Sequence, residues 1–167
     1  MPTQRYRTFW PRFWAGFIDG LIFLPIVYLL DKVVASESSD WINFSSDVLY
    51  GIVSFAYSIV LHWRYGKTIG KMVTHVTVLR NDTETSINLR QSFLRDSPWI
   101  ALTIVGWAIA AIAIGTGISS GLTVVLGKLF QWCSFAWFLV EIVTMLTNDK
   151  RRAVHDYIAD TVVVRDS

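Results

Sequence analysis

The sequence predicts an all-α membrane protein: four transmembrane helices with a small cytoplasmic β-hairpin or sheet. Of 167 residues, 53% are apolar and only 17% are charged, against roughly 45–50% and about 25% in soluble domains. The uncharged residues fall in blocks of the length that crosses a bilayer, roughly 17–25 residues. The basic residues collect on one side of those blocks. The chain length suits one domain covering residues 1–167. A single cysteine excludes a disulfide scaffold, and a net charge of only +2 argues against a nucleic-acid binder.

The first span covers residues 13–30, with one acid, Asp19, and a mid-span Pro25 expected to kink it. Its apolar run is longer than the roughly 7–15 residues of a signal peptide core, and Asp19 interrupts it. A retained helix is expected, despite Val33-Val34-Ala35 resembling a cleavage site. The second span, 47–63, is the shortest. The third, 98–118, carries no charge, and the fourth, 121–147, contains Lys128 and Glu141. A soluble bundle would leave a polar stripe on each helix, and the third span has none.

Orientation follows from the positive charges. Of fifteen Lys and Arg, all but Lys32 and Lys128 lie in the N-terminal arm, the segment 64–96 or the tail 148–167. Both termini and the middle loop are therefore expected in the cytoplasm. Trp10, Trp14, Trp63 and Trp99 fall near that inner boundary, as an interfacial belt requires.

Within the middle loop, Val73 to Leu79 is rich in β-branched residues and Asn81-Asp82-Thr83-Glu84 reads as a turn. Residues 85–89 are expected to return as a second strand, with Thr161-Val162-Val163-Val164 of the tail as a third. Gly66-Lys67-Thr68-Ile69-Gly70-Lys71 mimics a phosphate-binding loop but has one residue too few between the glycines and Met72 after the lysine. A glycine-permitted turn is the expectation. His62, His75 and His155 show no metal-ligand spacing with Cys133, which is expected to be an inert packing thiol. No metal, cofactor or enzymatic chemistry is expected.

The residues costly to keep are Asp19 and Glu141, because a mid-helix charge in a bilayer costs about 2.5–3.5 kcal/mol on insertion scales. At 1.5 Å per residue they lie at similar depth, about 9–10 Å from the inner boundary. They could share a polar chamber. Arg12, Ala15, Gly16 and Asp19 occupy one helical side, and Gly16 and Gly20 bracket Asp19 in a pattern that admits a closely packed helix. Ser54, Tyr57, Ser58 and Tyr65 make a further polar side on the second span.

Several of these segments resemble the RDD family of membrane proteins. Arg12-x-x-Ala15-x-x-Ile18-Asp19-Gly20 looks like its opening motif, and Gly66 to Lys71 with Val76-x-Val78 like its T-x-G-K segment. Leu94-Arg95 is similar to its arginine before the next helix. His155-Asp156-Tyr157-Ile158-Ala159-Asp160-Thr161-x-Val163, preceded by Arg151 and Arg152, resembles its closing motif, with Asp160 where the family usually has glycine. The resemblance places the family's arginine and two aspartates on Arg12, Asp19 and Asp156. It implies a bacterial plasma-membrane protein, with transport or sodium/proton exchange as the suggested activity.

Two functions follow as expectations. In a small transporter or cation/proton exchanger, Na+ or H+ would meet Asp19, Glu141 would be a second acid, and Arg12 would tune Asp19. Asp156 would pair with a basic residue, and four helices being few for two gates, a homodimer is expected. Alternatively, the chain is a non-catalytic scaffold locked by Arg–Asp pairs. Asp19 is expected to be reached by a basic or hydroxyl side chain from another helix or the tail rather than by Arg12, two turns away.

Overall fold

The structure, a computed structural model, describes residues 4–34, 39–117 and 120–166. It contains four helices long and apolar enough to cross a membrane. These are α1 (Phe9–Val34), α2 (Asp40–Tyr65), α4 (Leu89–Thr116) and α5 (Ser120–Thr147). Two short helices, α3 (Ile69–Val73) and α6 (Val154–Ile158), and two strands, β1 (Val76–Arg80) and β2 (Thr161–Arg165), gather at one end. In α4 none of the most apolar stretch is buried within the chain. Such a surface is stable only in lipid.

All four helices begin before the expected spans. α1 runs through Pro25. α4 starts at Leu89 rather than at Pro98, because Asn88 and Gln91 form a reciprocal capping box over its first turn. The expected end of the third span at 118 and the cleavage-like Ala35 lie outside the described residues. Trp10, Trp14 and Trp63 are exposed. Cys133, expected to be packed, is exposed on α5.

The small sheet exists, but not as the expected hairpin. β1 pairs antiparallel with β2 of the tail, Val78 opposite Val163. Residues 85–89 supply only a single bridge, Ser86 to Leu79. Instead of forming a strand, they place Ile87 into the core made with Val76, Val78 and Val163 and then cap α4. Gly66 ends α2 in the left-handed region at φ 70° and turns the chain toward α3, and Val78 N–H of β1 donates back to its carbonyl at 2.8 Å. The turn reading of this glycine segment holds.

The terminal arms are tied to the same end. Arg5 meets Glu84 at 2.6 Å, Tyr6 donates to the same carboxylate, and Lys150 donates to Asn81. Asp160 sits in the left-handed region at φ 49°. That conformation costs a non-glycine residue free energy, and it accounts for a glycine in the family pattern at this position.

Candidate functional site

Asp19 is held by hydrogen-bond donors, not by a cation. Tyr57 Oη of α2 donates to Oδ1 at 2.7 Å, Thr68 Oγ1 to Oδ2 at 2.6 Å, and the Gly70 N–H to Oδ1 at 2.8 Å. Among the described residues no basic side chain pairs with it. Hydroxyl groups from another helix and from the following turn reach it, as expected. Glycine is required at position 70, since a Cβ there would lie 2.1 Å from the Ala15 carbonyl oxygen. The turn before α3 therefore docks directly onto α1, with Asp19 as its anchor.

Arg12 pairs with Asp156 rather than with Asp19. Its Nη1 donates to Asp156 Oδ2 at 2.5 Å, and Arg95 Nη1 pairs with Oδ1 of the same carboxylate. Asp156 also accepts from the Ala153 N–H at 3.0 Å and from Thr161 Oγ1 at 3.2 Å. It is fully buried, with Arg12 at 9% and Arg95 at 4% exposure. Burial alone would push the Asp156 carboxyl up. The guanidiniums of Arg12 and Arg95, helped by His155, hold it well below the usual carboxylate range.

The two other motif arginines differ. Arg152 is buried and donates to the carbonyls of Thr161 and Asp156, beneath the ring of Tyr157. Arg151 takes a left-handed conformation and caps the Leu146 carbonyl at 2.7 Å. Both hold the tail in place.

Glu141 is buried in α5 beside His155, with Oε2 and Nδ1 2.7 Å apart but poorly aligned, and it accepts weakly from the His155 N–H at 3.3 Å. A carboxylate and an imidazole this close can share a proton. Lys71 Nζ lies 2.6 Å from His62 Nε2, and His62 Nδ1 lies 3.2 Å from Ser58 Oγ. Burial, and after it the Arg95 charge, bring Lys71 down to about 7, against the opposing pull of Asp96.

These groups line one cavity of about 670 Å³ between α1, α2, α4 and α5. Asp19 and Glu141 do share a chamber. Arg12, Lys71, Arg95, His62, His155 and Asp96 join them, under a wall of Phe13, Phe23, Phe138 and Met145. Ser54, Tyr57 and Ser58 contribute from α2, whereas Tyr65 is exposed elsewhere. Gly16 and Gly20 were expected to admit a packed helix. Instead they line this cavity, and nothing among the described residues lies within 4 Å of a Cβ built at either. The helix docked on this side of α1 is the short α3, at Ala15 and Asp19.

Sequence reasoning missed Lys71, His62, His155 and Asp96 as cavity residues. His155 carried a usable signal, since it adjoins the motif aspartate and follows Glu141 in the chain. Lys71 lies in a segment whose sequence reads as a turn and as the T-x-G-K motif, neither of which points to a cavity.

The RDD family model matches residues 6–160. An uncharacterized membrane protein of Bacillus subtilis (strain 168), YteJ, is 25% identical over 170 residues, covering 98% of this chain and 84% of that protein. No solved structure matches the fold. The opening, middle and closing motifs meet physically, Arg12 and Arg95 on Asp156 and the T-x-G-K segment on Asp19, and the family match covers each of these residues: this chain belongs to the RDD family.

Proposed function

We propose that the protein is a small proton-linked transporter that binds its ligand in the chamber of about 670 Å³. The observation that carries this reading is a partly buried acid–base set, Glu141 with His155 and Lys71 with His62, lining a cavity large enough for a ligand. A purely structural bundle has no use for so many ionisable groups around open space. Glu141 and His155 carry the proton. Asp19 acts as a positioning residue, because its two oxygens are already taken by Tyr57, Thr68 and Gly70. Exchange of Na+ against H+ is the narrower form. The sheet and both termini face the cytoplasm of a bacterial plasma membrane, and a homodimer completes the path.

A scaffold role is the second reading, favoured by the buried Arg12–Asp156–Arg95 cluster. Proteoliposomes separate the two. With a pH-sensitive dye inside and a Na+ gradient imposed, the wild type should move protons. Glu141→Gln should abolish that flux while leaving the melting profile intact. A wild type without flux under either a Na+ or a pH gradient overturns transport.

A further inference from the structure

Arg12 uses only one of its three guanidinium nitrogens. Nη1 donates to Asp156, whereas Nε and Nη2 are buried and make no hydrogen bond with any described residue. The side chain is 9% exposed and lines the chamber. Nε–H and Nη2–H form one parallel edge of the guanidinium, a fork that matches two oxygens of a phosphate or carboxylate.

The acidic groups nearby do not reach this edge. Arg12 and Arg95 share the single carboxylate of Asp156, Asp19 is held by its three donors, and Glu141 lies against His155. Buried guanidinium N–H groups without an acceptor are costly, and an anionic oxygen beside them removes that cost.

One turn further along α1, Gly16 leaves open space, and Trp10, Phe13 and Phe138 line the chamber while staying 63%, 50% and 43% exposed. An oxyanion seat in the first turn of a spanning helix, under an apolar wall left exposed among the described residues, matches a headgroup with its chain. We propose that the Nε–Nη2 fork of Arg12 binds the phosphate of a phospholipid from the leaflet in which Arg12 lies. One acyl chain runs along Trp10, Phe13 and Phe138. Free phosphate offers the same oxygens, and the apolar wall is what favours the lipid. The site concerns binding and stands whether or not the protein transports anything.

The full chain, purified and stripped of lipid in detergent, is offered phosphatidylglycerol, a diacylglycerol with the same chains, or inorganic phosphate. Retained lipid is read by native mass spectrometry and stability by Tm. Phosphatidylglycerol should be retained and raise Tm, and diacylglycerol should not. Arg12→Lys, which keeps the charge but not the fork, should weaken retention about tenfold, the loss of one well-placed charged hydrogen bond. Gly16→Leu fills the space above the fork without touching Asp156. It should lose the lipid while melting, lipid-free, no lower than the wild type. Phosphatidylglycerol retained equally by Gly16→Leu overturns the site. Diacylglycerol retained as well as phosphatidylglycerol overturns the phosphate seat, and inorganic phosphate stabilising as strongly as phosphatidylglycerol overturns the lipid.

Discussion

Replacing Asp156 with asparagine preserves its shape and removes its charge. The carboxylate is fully buried and accepts from Arg12, Arg95, Thr161 and the Ala153 N–H. The new amide NH2 must face two of these donors whichever way it turns, and two guanidiniums lose their anion. Removing one partner of a buried ion pair costs about 3–5 kcal/mol, and two stranded cations put Asp156→Asn in the upper half of that range. Asp160→Asn is the internal control. Asp160 is 61% exposed and only 3.3 Å from Arg152, so its loss should cost less than about 1 kcal/mol. Equilibrium unfolding in mixed micelles with a denaturing detergent, followed by tryptophan fluorescence, measures both. In the double mutant Asp156→Asn/Arg95→Gln the penalty should fall below the sum of the singles, because one stranded charge is gone. Since the folded Asp156 carboxyl lies well below its ordinary value, its stabilisation is fully present above pH ~4 and is lost only as pH falls through the folded value. The penalty should therefore be flat from about pH 5 to 8. An Asp156→Asn protein within about 1 kcal/mol of wild type would refute the reasoning, since only an exposed pair is worth so little.

Gly70→Ala forces a Cβ against the Ala15 carbonyl and Asp19 Cγ and should destabilise by at least about 1–3 kcal/mol through overpacking. Gly16→Ala meets nothing and should stabilise by roughly 0.5–1 kcal/mol through helix propensity; equal stability of the two variants in the same unfolding assay would contradict the docking of α3. Lys71 should titrate near 7 in a lysine-labelled NMR experiment in micelles. With its folded value below the ordinary 10.5, the unfolded chain binds more protons across that interval, so this group makes stability rise with pH between the two values. A midpoint above 10 would mean that Lys71 is fully solvated. In a Cys133→Ala background, Ser39→Cys and Thr83→Cys should label from opposite sides of the membrane with an impermeant thiol reagent, and labelling of Thr83→Cys from outside intact cells would overturn the orientation.

The spans were legible because hydropathy over a bilayer length is a strong signal that needs no tertiary context. The strand 85–89 was misread for want of weighing Asn88 and Gln91, whose capping-box spacing announces a helix start. Asp19 and Glu141 were found because charge in an apolar segment is conspicuous. Their partners were harder to see. Thr68 and Gly70 look like ordinary turn residues until the fold lays that turn on α1. Arg12 and Asp156 lie 144 residues apart, and the seven-residue spacing on one helix favoured the wrong aspartate for Arg12. Gly16 and Gly20 show the limit of motif reading. A small-residue pattern says that something can come close, and in this protein the open space faces a cavity.

The shared carboxylate also sets an order of assembly. Arg12 opens α1, Arg95 lies in α4, and Asp156 sits in α6, past the last long helix. Synthesis runs from the N-terminus, so two membrane-edge arginines are made long before their counter-ion exists. While α1 to α5 enter the bilayer, both guanidiniums must lean on water or lipid phosphates. The bundle can lock at this end only when Asp156 arrives, together with the strand that completes the sheet. A chain that stops short of residue 156 carries two unmatched cations and an unpaired β1. The closing motif thus acts late in synthesis, turning two separately inserted helices into one locked end.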